Sequence, residues 1–122
     1  MKTILFIEDE QTLQKTLGDV LTDNGYKVIN ALDGETGIEL AKTKNPDLVL
    51  LDIILPRKSG FDVLRELKEN KKTKNIPVII LTNMEEAENV EKMFSLGATT
   101  YLVKTYYSLK NILERIKKTL GE

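Results

Sequence analysis

Three carboxylates, a hydroxyl and an amine stand at the ends of short apolar runs, and these are the groups that metal and phosphate chemistry require. Ile4-Leu5-Phe6-Ile7 runs into Glu8 and Asp9, Leu48-Val49-Leu50-Leu51 into Asp52, Val78-Ile79-Ile80-Leu81 into Thr82, and Tyr101-Leu102-Val103 into Lys104. Carboxylates hold hard divalent cations and can attack phosphorus, while a hydroxyl and an ammonium donate to phosphoryl oxygens. Taken singly, most of these residues also have ordinary structural uses. Glu8-Asp9-Glu10 could supply acids to the start of a helix, Thr82 could cap a turn, and Lys104 could be a surface residue. Asp52 is different, because it closes a fully apolar run and is followed by Ile53-Ile54-Leu55, where an unpaired carboxylate is costly to bury. A phosphoryl group on Asp52 would call for one cation and one hydroxyl donor, and Glu8 and Asp9 would repel it unless a divalent cation intervened.

The elements that must position these groups follow from the same pattern. Continuous apolar runs without polar alternation are typical of parallel strands covered by helices on both faces. Parallel strands bring their chain exits to one edge, and ligands of open α/β sheets bind in the crevice outside that edge. Between the runs, Leu13, Leu17, Val20 and Leu21 keep helical spacing up to Asn24-Gly25, and Lys27 to Ala31 reads as a strand. Gly34 to Lys44 reads as a helix, with Asn45-Pro46-Asp47 as the turn that follows. Phe61, Leu64 and Leu67 mark the next helix face, Ala87, Val90 and Phe94 another that ends at Gly97, and Leu109, Ile112, Leu113, Ile116 and Leu120 a last one. The polar run Glu69 to Asn75 reads as a solvated helix end and loop. Five strands alternating with five helices predict a doubly wound α/β domain over residues 1–122, with strand order 2-1-3-4-5 and the switch point beside strands one and three.

Composition narrows the chemistry. Lys and Arg number 18 against 19 Asp and Glu, a net charge of −1, which argues against a chain built for nucleic acid or anionic membrane. With no Cys there is no thiolate nucleophile, disulfide or thiolate zinc site, and with no His there is no imidazole base or phosphohistidine in this chain. The chemistry left is that of oxygen ligands, which favour Mg²⁺. No segment reaches the roughly 20 apolar residues of a membrane span and none resembles a signal peptide, so the chain is expected to be soluble and cytoplasmic.

The motifs ILFIEDE, PDLVLLDIILPRKSGFDVLRELK, PVIILTN and LGATTYLVK, followed by an amphipathic helix, resemble the receiver domain of two-component response regulators from Lys2 to about Leu120. The likeness is to single-domain, chemotaxis-regulator-like members with the flavodoxin-like receiver fold. It implies that Asp52 is the phosphoacceptor and that Glu8, Asp9, Asp52 and the main-chain carbonyl of Ile54 hold Mg²⁺. It implies that Thr82 and Lys104 bind phosphoryl oxygens, with Thr82 and Tyr101 as the switch pair. The implied donor is a sensor histidine kinase or a histidine phosphotransfer protein. The implied output is a protein target that reads the fourth helix, fifth strand and fifth helix, with no direct nucleic-acid or membrane binding. Such a domain is a signalling switch whose only chemistry is its own phosphorylation and dephosphorylation. Asn83 stands where the family usually has a small residue. Thr105 stands where Pro usually follows the Lys, so the Lys104-Thr105 bond is expected to be trans, the cis form costing roughly 2.5 to 4 kcal/mol without Pro.

Rival functions fit less well. An aspartyl-phosphate phosphatase of the haloacid-dehalogenase type wants an acid two residues after its nucleophile, where Ile54 stands. A flavin-binding domain wants a glycine- and hydroxyl-rich loop after the first strand, where Glu8-Asp9-Glu10 is electrostatically wrong. A degenerate receiver that acts only as a protein-interaction module remains open at the level of sequence.

Overall fold

Strands and helices alternate along the whole chain. The computed structural model describes residues 1–122 as β1 (Thr3–Ile7), α1 (Gln11–Asp23), β2 (Lys27–Ala31), α2 (Gly34–Lys44), β3 (Leu48–Leu51), α3 (Gly60–Glu69), β4 (Val78–Thr82), α4 (Ala87–Ser95), β5 (Thr100–Val103) and α5 (Leu109–Thr119). A 3₁₀ turn over Lys104–Tyr106 joins β5 to α5. All strand pairs are parallel and the order is β2-β1-β3-β4-β5, as the sequence predicts. Ile7 lies opposite Leu51, Leu51 opposite Ile80, and Thr82 opposite Val103. This register delivers the residues after β1, β3 and β5, and the last residue of β4, to one edge.

Alternate strand residues feed two cores, one on each face of the sheet. Leu5, Ile7, Val49, Leu51, Val78 and Ile80 pack with Ile38 of α2, Val63, Leu64 and Leu67 of α3, and Met93 of α4. Ile4, Phe6, Leu48, Leu50, Ile79 and Leu81 pack with Leu17 and Leu21 of α1 and with Ile112, Leu113 and Ile116 of α5. Fully burying one such side chain stabilises by roughly 1.5 to 3 kcal/mol, so the two layers together hold the strand ends in place. Asp33, Ser59 and Ser108 cap α2, α3 and α5 by accepting from the N–H groups of Thr36, Asp62 and Asn111. Gly60, the first residue of α3, has its N–H 2.7 Å from the Ile53 carbonyl, and a Cβ there would stand 2.6 Å from Ile53 Cα. Only glycine lets α3 start this close behind β3.

Local packing departs from the sequence pattern in two places. The stripe expected on α4, Ala87-Val90-Phe94, is not the buried face: Phe94 is 47% exposed, and Met93 is the one buried residue of the helix. Residues 93 and 94 lie about 100° apart on a helix, so the line of contact through Met93 leaves Phe94 at its margin. The run Glu69 to Asn75 is not uniformly solvated either. Thr73 is 1% exposed and its hydroxyl donates to the Leu67 carbonyl at 2.6 Å, sealing the end of α3.

Candidate functional site

Glu8 extends the β1–β2 ladder by one residue, its N–H donating to the Ala31 carbonyl at 2.9 Å. Asp52 does the same for β3, its N–H donating to the Ile7 carbonyl at 3.1 Å. Both side chains are sequestered, Glu8 at 0% and Asp52 at 6% exposure, while Asp9 is exposed. One carboxylate oxygen from each of Glu8, Asp9 and Asp52 lies within 4.8 Å of the others. Oxygens sharing a Mg²⁺ at about 2.1 Å stand at most about 4.2 Å apart, so small rotations would close this cluster on a cation.

Lys104 comes in from the other side of the sheet edge. Its ammonium donates to Asp52 Oδ2 at 3.1 Å, lies 2.7 Å from Glu8 Oε1 and 3.7 Å from Glu10 Oε1. The contact with Glu8 is close but off the direction of a well-formed hydrogen bond, which leaves Oε1 a buried carboxylate oxygen without a directed donor. Such an atom costs free energy unless something claims it. A buried carboxylate oxygen whose one near partner is a misaligned ammonium, within a trio of carboxylates, fits a hard divalent cation. Asp52 Oδ1, by contrast, accepts from the Ile53 N–H at 2.7 Å.

These placements have electrostatic consequences. Burial and the nearby charge of Asp52 push the Glu8 carboxyl up to about 7, against the opposing pull of Lys104. Burial draws the Lys104 ammonium down, but its pairing with Glu8 and the charge of Asp52 outweigh that and hold it above its ordinary value. Lys104 is therefore firmly cationic.

Thr82 ends β4 fully buried, and its Oγ1 accepts from the Met84 N–H at 3.4 Å, a long and weak contact. The Tyr101 hydroxyl donates to the Met84 carbonyl at 2.6 Å, so this half-buried ring is turned inward against the loop between β4 and α4. Burial raises the Tyr101 hydroxyl's pKa, as do the charges of Glu86 and Asp52. Ile54 follows Asp52 in the loop after β3 with its side chain 63% exposed, and Met84 is half-buried. The Lys104-Thr105 bond is trans, as the sequence predicts, and the chain turns at once into the Lys104–Tyr106 3₁₀ helix. Sequence reading missed two features: the approach of Glu10 to Lys104, and the hydrogen bond from the exposed Tyr106 to Glu85 Oε2 at 2.8 Å. Neither pairing leaves a periodic trace, because each joins residues distant in the chain.

Residues 4–117 match the model of the response regulator receiver domain family. The chain belongs to that family. Polar-differentiation response regulator DivK of Brucella ovis is 32% identical over 121 residues, which cover 99% of this receiver domain and 98% of DivK. The protein named "Probable transcriptional regulator ycf27" of Porphyridium aerugineum is 36% identical over 117 residues, which cover 96% of this chain but 47% of that one, so the match spans about half of that relative's length. Among solved structures, the receiver domain of a sensor histidine kinase from Pseudomonas aeruginosa PAO1, with magnesium coordinated in its active-site cleft, superimposes with a TM-score of 0.89 at 25% identity, covering 99% of this chain and 98% of that one. The five-stranded fold of this chain is thus shared with a solved receiver domain. No helix of this receiver is long and apolar enough to cross a membrane.

Proposed function

We propose that this receiver domain, spanning residues 1–122, is a phosphorylation switch in which Asp52 accepts a phosphoryl group from the phosphohistidine of a sensor kinase or phosphotransfer protein. The observation that carries this reading is the environment of Asp52: 6% exposed, hydrogen-bonded to Lys104, and sharing a carboxylate cluster with Glu8 and Asp9. An Asp52 oxygen attacks phosphorus in line, the P–O bond forms as the P–N bond breaks, and the donor imidazole leaves with the electron pair. Glu8, Asp9, Asp52 and the main-chain carbonyl of Ile54 would hold Mg²⁺, which when bound supplies charge neutralisation at the phosphoryl oxygens. Lys104 neutralises a further oxygen from the opposite side, and the Thr82 hydroxyl donates to another. Most of the rate comes from this positioning and electrostatics.

The acyl phosphate draws Thr82 away from its weak contact with Met84, and Tyr101 reports that movement because it is bonded to the same residue. Two packings of α4, β5 and α5 differ in population as a result, and a downstream protein distinguishes them. The domain has no turnover of a foreign substrate in this reading, binds neither nucleic acid nor membrane directly, and works in the cytoplasm. Incubation with a small acyl phosphate and Mg²⁺ tests it by intact mass. One added phosphoryl group, lost in Asp52→Asn and in EDTA, is expected. An unlabelled protein would instead mean an interaction module that works without phosphorylation.

A further inference from the structure

Glu10 occupies the N-cap position of α1, where a short polar side chain would normally bond the first free N–H groups, yet its side chain makes no capping bond. Its carboxylate reaches instead toward the ammonium of Lys104, 3.7 Å away, while its own N–H donates to Glu8 Oε2 at 3.1 Å. An ammonium has three donors, and Lys104 has three carboxylates around it: Glu8, Asp52 and Glu10. The three are not equivalent. Glu8 and Asp52 are buried members of the cation cluster, whereas Glu10 lies outside it with its side chain 59% exposed.

Resting on the cation reading of the cluster, we propose that Glu10 is a positioning residue for Lys104, keeping the ammonium at the mouth of the site when Glu8 and Asp52 are committed to a divalent cation. Carboxylates engaged with a cation give up most of their pull on a neighbouring ammonium, and two positive charges in one cleft repel each other. The Lys104 side chain, only 14% exposed in its present position, would otherwise swing outward on its flexible stem. Glu10 provides an anionic partner at that moment, and its backbone bond to Glu8 keeps it next to the cluster. Its effect is therefore conditional: small while Glu8 and Asp52 hold Lys104, large once they are occupied. A residue that merely started α1 would show no such condition.

The test follows the ε-methylene proton and carbon resonances of Lys104, assigned by their loss in Lys104→Arg, at one fixed pH in the full chain. Wild type, Glu10→Gln and Glu10→Asp are compared in EDTA and in saturating Mg²⁺. The expected result is near coincidence of all three in EDTA. In Mg²⁺, Glu10→Gln should move away from wild type, with Glu10→Asp between them. Coincidence of wild type and Glu10→Gln in Mg²⁺ overturns the proposal, as does an equal displacement with and without the metal, which would reveal only a helix-start effect. If Mg²⁺ moves no resonance of Asp9 or Lys104 in the wild type, the cation reading fails and the proposal falls with it, a result distinct from the other two.

Discussion

Lys104 and Glu8 meet at 2.7 Å, closer than Lys104 stands to Asp52 at 3.1 Å, so the ammonium is shared between two buried carboxylates. One cation among Glu8, Asp9, Asp52 and Glu10 leaves the strand-end edge strongly anionic, and its strain should respond to metal, to protons and to phosphate.

Mg²⁺ should stabilise the folded protein. At about 100 times its dissociation constant, a cation that binds only the folded state adds roughly 2.7 kcal/mol. Calorimetry should show a melting temperature rising with Mg²⁺ in the wild type and nearly unmoved in Asp9→Asn, because Asp9 offers its exposed carboxylate only to the cluster. Equal shifts in both proteins would place the metal elsewhere.

In EDTA, stability should fall as pH rises between about 4.5 and about 7. Glu8 keeps its proton in the folded state up to about 7, whereas the unfolded chain loses it near the ordinary 4.5. The folded state therefore binds more protons across this window, and its stability declines through it by on the order of 3 kcal/mol before levelling off. Urea titrations of wild type and Glu8→Gln isolate this contribution. A difference between the two proteins that does not change with pH would contradict it.

Loss of phosphate from Asp52 should be slow. Ile54, 63% exposed in the loop after Asp52, and half-buried Met84, in the loop after Thr82, carry no side-chain group able to take a proton from an attacking water. Ile54→Asn combined with Met84→Glu should shorten the phosphoryl lifetime several-fold. The measurement is the decay of phosphorylated protein after removal of the donor, and an unchanged half-life sinks the idea.

Two glycines should respond in opposite directions to the same substitution. Gly18 lies inside α1, where an added Cβ would meet nothing within 4 Å, so Gly18→Ala should stabilise by up to about 1 kcal/mol through helix propensity. Gly60→Ala forces a Cβ against the backbone of Asp52 and Ile53 and should destabilise by about 1 to 3 kcal/mol while slowing phosphorylation. Urea midpoints and acyl-phosphate labelling of the two variants check this pair.

Much of this molecule is legible in its residues taken in order. The unbroken apolar runs ending in Glu8, Asp52 and Thr82 report strands buried on both faces, and parallel strands deliver their ends, with that of the half-buried edge strand before Lys104, to one edge. The trans bond before Thr105 follows from an equally local rule, and the strand order is one of the two common doubly wound arrangements. Tertiary structure alone decided which side of α4 faces the sheet, because Met93 and Phe94 are both apolar and only the seating of the helix separates them. It also decided that Thr73 is buried, that Tyr101 reaches the Met84 carbonyl, and that Lys104 is shared among Glu8, Asp52 and Glu10. Periodicity records which face of an element is apolar, but a contact between polar groups from separate elements depends on distances that only the packed sheet sets.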